Sequence, residues 1–142
     1  LSDAMASFWS EYLKNKVLDH MRGIATWTPG THSHFALMSV APTPLGGGTP
    51  APTISRFMIQ NSSLDWNAAS GAVSTNKVLW TFTTAAVSDI GVIVGIAEYD
   101  ASTGGNLLTY GDLTTPKTLL TGMAFSVAAG AGKFTYVDDT AP

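Results

Sequence analysis

The sequence predicts a mainly β fold, an antiparallel β-sandwich of jelly-roll type, preceded by one amphipathic α-helix. Three observations predict it. Only residues 1–23 keep a helical period; after them come short apolar runs of strand-forming residues. Between those runs, Gly, Pro, Asn and Ser recur at a spacing of roughly eight to twelve residues, the mark of a sandwich or barrel.

In the helix, Met5, Phe8, Trp9, Tyr12, Leu13, Val17, Leu18 and Met21 recur at three- and four-residue intervals. Ser2 and Asp3 supply N-cap oxygens, and Gly23 supplies a left-handed stop. A stripe with two large aromatics must be buried, either on its own β domain or on a neighbouring subunit. The chain thus reads as a helix over 1–23 and a β-sandwich domain over 24–142.

The strands follow in order. Residues 34–40 are apolar on both faces. Residues 41–53 hold four prolines and the triplet Gly46-Gly47-Gly48, and predict a long loop or arm instead of a sheet element. Residues 54–60 form the next strand, and 61–70 a polar loop carrying Trp66. In 77–83, Val78, Trp80 and Phe82 share one face, with Trp80 expected in the core. Residues 90–99 are rich in Val and Ile and predict the central strand. After a turn over 100–105, short strands are expected at 107–110, 118–120, 124–128 and 133–137, parted by Gly111, Pro116, Gly122 and Gly130.

Composition narrows the function. Charged residues make up 12% of the chain, about half the usual share, so little charge keeps copies apart and assembly is expected. The seven cations are scattered and form no basic stripe, which argues against nucleic acid as a partner. No apolar run approaches the length of a membrane span, and Asp3, Glu11 and Asp19 interrupt any signal-peptide pattern. Without cysteine there is no thiolate or disulfide chemistry.

Tests for catalysis and ligand binding turn up no convergent set. His32 and His34 are two donors where a zinc site needs three or four, so no metal is expected. Gly130-Ala131-Gly132-Lys133 is followed by Phe134 and a strand, so it is a turn and not a phosphate loop. Glu98, Asp138, Asp139 and the other acids show no spacing that singles out a glycosidase pair. Glu98 interrupts an apolar strand beside Tyr99 and Asp100, and reads as the strand end meeting solvent. No cofactor and no enzyme activity are expected. Arg56 is placed either to snorkel from an edge or to pair with a carboxylate across subunits.

The order of several segments resembles a family of small structural proteins of tailed bacteriophages, often labelled tail-fibre or minor virion proteins. The matching segments are Val17-Leu18-Asp19-His20, Phe35-Ala36-Leu37-Met38-Ser39 and Ala41-Pro42-Thr43-Pro44-Leu45-Gly46-Gly47-Gly48-Thr49. Ser55-Arg56, Asp100-Ala101-Ser102-Thr103-Gly104-Gly105-Asn106-Leu107-Leu108 and Leu113-Thr114-Thr115-Pro116-Lys117-Thr118 continue the pattern. The chain departs from it at Ser88-Asp89-Ile90-Gly91, where the family often has Trp-Gly, and at Pro50-Ala51-Pro52. The resemblance implies a non-enzymatic virion part without cofactor.

A compact domain of this length spans about 40 Å and lacks repeats for a shaft. The expectation is therefore an oligomeric capsid decoration or cement protein, with a tail-fibre or baseplate tip that touches the host as the alternative. A trimer or dimer is expected, contacting the major capsid protein or tail proteins and made in the host cytoplasm. Candidate subunit-interface residues are Phe8, Trp9, Tyr12, Val17, Met21, Pro44, Leu45 and Arg56. The alternative assigns Trp27 and Trp66 to receptor or sugar contacts.

Overall fold

The computed structural model describes residues 6–82 and 88–135. Ser2, Asp3, Met5, Thr83, Val137, Asp138 and Asp139, which carry parts of the expectations above, lie outside them.

Ten strands and one helix follow in the order β1 (Ala6–Trp9), α1 (Glu11–Met21), β2 (His32–Val40), β3 (Thr49–Pro50), β4 (Phe57–Gln60), β5 (Val73–Thr75), β6 (Trp80–Phe82), β7 (Gly91–Tyr99), β8 (Leu107–Leu119), β9 (Phe125–Val127) and β10 (Lys133–Thr135). Six of them form an antiparallel sheet in the order β1-β8-β7-β2-β3, with β4 sharing the free edge of β2. The run 90–99 is central, as its Val and Ile content predicts, flanked by β2 and β8. Two ribbons, β5 with β10 and β6 with β9, complete the β structure.

The ribbons cover one face of the sheet. Trp80 and Phe82 of β6 and Phe125 and Val127 of β9 share a core with Phe35 and Leu37 of β2, Ile93 and Ile96 of β7, and Leu113 of β8. Trp80 is fully buried and sits 4.4 Å, ring to ring, from Phe35. Buried Asn76 fastens the two ribbons together. Its Nδ2 donates to the carbonyls of Val78 (2.8 Å) and Ala128 (3.0 Å), and its Oδ1 accepts from the Gly132 amide (2.8 Å). The opposite face carries a smaller cluster of Ala36, Met38, Ala97 and Tyr110, with Phe8 packed against it.

Four sequence expectations change. Residues 6–9 are a strand paired with β8, and the helix starts only at Glu11. Ser10 caps it: its Oγ accepts from the Leu13 amide (3.1 Å) and donates to the Leu107 carbonyl (2.6 Å). The helical period ran on through Phe8 and Trp9, but the unpaired edge of β8 takes those residues as a strand. The predicted C-terminus holds, with Gly23 at φ +71°.

Residues 41–53 are not a free arm. A tight turn pairs Thr43 with Gly46, β3 pairs with β2, and Ala51 is buried with its amide on the Leu37 carbonyl (2.8 Å). The two strands expected at 107–110 and 118–120 are one, because Gly111 lies inside the ladder opposite Ile96. Pro116 and Lys117 sit on its exposed second half, where proline and lysine suit an edge strand. Finally, Glu98 is not a plain strand end in open solvent but a half-buried, hydrogen-bonded group, as described next.

A polar groove at the end of the core

The core face changes character where β2 begins, β7 ends and β8 begins. Register places Glu98 opposite both Phe35 and Thr109, so its side chain points to the core side. It is half-buried, and its carboxyl group is desolvated by the surrounding protein. Thr109 Oγ1 donates to Glu98 Oε1 (2.8 Å), and Ser33, itself buried, hydrogen-bonds the same carboxyl group. Ser33 Oγ also donates to Asn61 Oδ1 (3.1 Å), and Asn61 Nδ2 donates to the Gly30 carbonyl (2.9 Å).

Burial raises the Glu98 pKa above its ordinary value of 4.5; the hydrogen bonds from Ser33 and Thr109 oppose that shift without cancelling it. The proton sets the direction of the chain. Neutral Glu98 donates to Ser33, which is then free to donate to Asn61. Ionised Glu98 competes with Asn61 for the single Ser33 hydroxyl hydrogen.

Two surface depressions, of about 530 and 550 Å³, meet at this network and share Leu13, Asn61 and Glu98. Leu13 is the buried residue of α1, which therefore serves as the lip of the groove. One end is walled by Trp9, Trp66 and Phe134, the other by Tyr12 and Trp27. Trp66 packs edge-on against Trp80 (5.8 Å) and Phe134 (5.5 Å). Its Nε1 is buried without an acceptor among the described residues, so this half-buried ring offers the groove its carbon surface. Among the described residues, no lysine or arginine lines either depression. Among the described residues no cluster of His, Asp and Glu gathers as a metal site, and no helix is long and apolar enough to cross a membrane.

The candidate interface residues scatter around this framework. Phe8 stacks on Tyr110 at 5.5 Å, and Trp9 and Tyr12 line the groove. Val17 is half-buried, whereas Met21 is 67% exposed and, with Leu18 and Ile24, continues an apolar surface on and just beyond α1. Pro44 accepts the Glu11 amide through its carbonyl (2.8 Å), which presents Leu45 at the loop tip, 81% exposed.

Arg56 lies just before β4 and has work inside its own chain. Its Nη1 donates to the carbonyls of Ala101 (2.6 Å) and Gly104 (2.8 Å), and its guanidinium covers the Tyr99 ring at 3.8 Å. Asp100 holds the same turn from within by accepting from Asn106. A side chain at Gly105, φ +74°, would strike that carboxylate.

Residues 8–135 match the family described as podophage GP4 fiber I protein gp80. The chain belongs to this family. The matched span takes in the helix and every described strand except the first two residues of β1, so family membership and fold refer to nearly the same residues. The gp80 fibre family is a family of bacteriophage structural proteins, and the chain is a virion-associated member of it. No curated protein is significantly similar to it.

Sequence reasoning singled out Trp66, Trp27 and Glu98 separately and missed what joins them. Ser33, Asn61 and Thr109 carried no motif. The available signal was parity: Glu98 lies two residues beyond Ile96 on one face of a strand, so it had to share the side of the core.

Proposed function

We propose that this protein is an oligomeric, non-enzymatic subunit of a podophage fibre that stands near the host-contacting end of the particle. The observation that carries this reading is the match of residues 8–135 to a fibre protein. Two features of the surface support it. Leu18, Met21 and Ile24 leave an apolar stripe that a second copy would cover, and the low charge of the chain favours association. The helix and Leu45 would supply the interface between copies, while Arg56 is committed to its own turn.

The test is to locate and count the protein in purified virions by gold-labelled antibody and by quantitative mass spectrometry against the major capsid protein. A small fixed number of copies confined to the tail is the expected result. A dense coat on heads, with heads less heat-resistant in its absence, would overturn the fibre placement in favour of capsid decoration.

A further inference from the structure

We infer that the groove over Glu98 is a binding site for a neutral oligosaccharide. The inference deepens the fibre reading and rests on it for its biological setting, a host surface coated with sugars; the binding itself is a property of the isolated protein. A pyranose ring has an apolar face of C–H groups and a rim of hydroxyls. It therefore asks for aromatic carbon surface beside fixed donors and acceptors.

The groove supplies both. Trp66 turns its carbon edge outward and its Nε1 inward, and Trp27 stands on the far side of the shared floor. Between them lie Asn61, exposed to solvent, and the half-buried Glu98 with its fixed partners Ser33 and Thr109. Each of these groups is already oriented by a bond within the protein, so little ordering is needed when a ligand arrives. Each depression falls in the size range of small-ligand sites, and the two together offer room for more than one sugar.

Charge selects the ligand class. Among the described residues, the side chains lining the two depressions that can carry charge near neutral pH are Glu98, Asp100 and His32, with no lysine or arginine. A uronate, sialate or phosphate polymer would meet acids and no opposing guanidinium or ammonium. Asp100 is occupied by Asn106 and serves the turn, which leaves the neutral hydroxyl-bonding groups as the recognition set.

The experiment applies the purified protein to an array of immobilised neutral oligosaccharides together with uronic-acid-bearing ones. It then titrates the best neutral probe into ¹⁵N-labelled protein while following the tryptophan indole N–H signals. Expected are binding of neutral probes only, movement of the Trp27 and Trp66 signals, and about tenfold or greater weakening in both Trp27→Ala and Asn61→Ala. Circular dichroism checks that each variant folds; should one fail, the wild-type shift map still decides the site. Absence of neutral binding at millimolar probe, preference for acidic probes, or shifts away from Trp27 and Trp66 would overturn the inference. None of these results bears on where the protein sits in the virion, so failure here and failure of the fibre placement are told apart.

Discussion

Ile96 and Glu98 stand on the same side of β7, in opposite surroundings. Ile96 is 1% exposed and packs into the aromatic core with Phe35 and Leu37. Glu98 is half-buried, set among Thr109, Ser33 and Asn61. The first position gains from contact area and dispersion, in any direction that fills space. The second is tolerable only while its hydrogen-bond partners stay in place. One sheet face thus holds a region built for stability and, adjoining it, a region whose polar groups cost stability and face a groove.

Breaking the apolar region should have the largest effect. Trp80→Ala removes the largest fully buried side chain among the described residues and should cost about 4 kcal/mol, read as a lower denaturant midpoint. A loss below about 1 kcal/mol would mean that the ribbons do not depend on this ring.

Asn76→Ala tests the joint between the ribbons. It strands the Val78 and Ala128 carbonyls and the Gly132 amide, and should cost about 2 kcal/mol. Hydrogen exchange would show the loss concentrated in β5, β6, β9 and β10 rather than in the main sheet.

The polar region predicts a smaller effect, visible as a slope with pH. Because the folded pKa of Glu98 is raised, the folded state holds its proton more tightly than the unfolded chain. Glu98 therefore leaves full stability in place below the unfolded value near 4.5, and stability falls as pH rises through the folded pKa. Asp89, held below its ordinary range by the amide and hydroxyl of Thr121, contributes in the opposite sense at the acid end. Glu98→Gln should abolish the downward slope above pH 4.5, so that the variant gains on the wild type with rising pH. Thermal melts across the pH range check it, and parallel curves for the two proteins would break the comparison.

Much of this architecture is written in local pattern. The central strand follows from a Val- and Ile-rich run, the core place of Trp80 from alternation, and the end of α1 from Gly23. Long-range pairing is what local pattern hides. Residues 6–9 continue a helical stripe in sequence and become a strand because β8 offers them an edge. The prolines of 41–53 suggest an arm, yet Ala51 reaches the core through one amide on β2. The groove is hidden for the same reason: Ser33, Asn61, Glu98 and Thr109 come from separate segments and meet only after the sheet has assembled.

The close approach of β7 to β8 at Gly95 has a consequence for how that assembly avoids error. A methyl group at residue 95 would run into the Gly111 carbonyl oxygen, so only glycine fits there. If the two strands slipped by one residue, Val94 or Ile96 would arrive at that carbonyl, and a branched side chain would collide with backbone. The same slip would turn Glu98 to the other face and put Ala97 or Tyr99 in its place over the core. Gly95 therefore works as a keyhole: a register shifted by one residue meets a steric clash there, and the groove goes with the one alignment that fits.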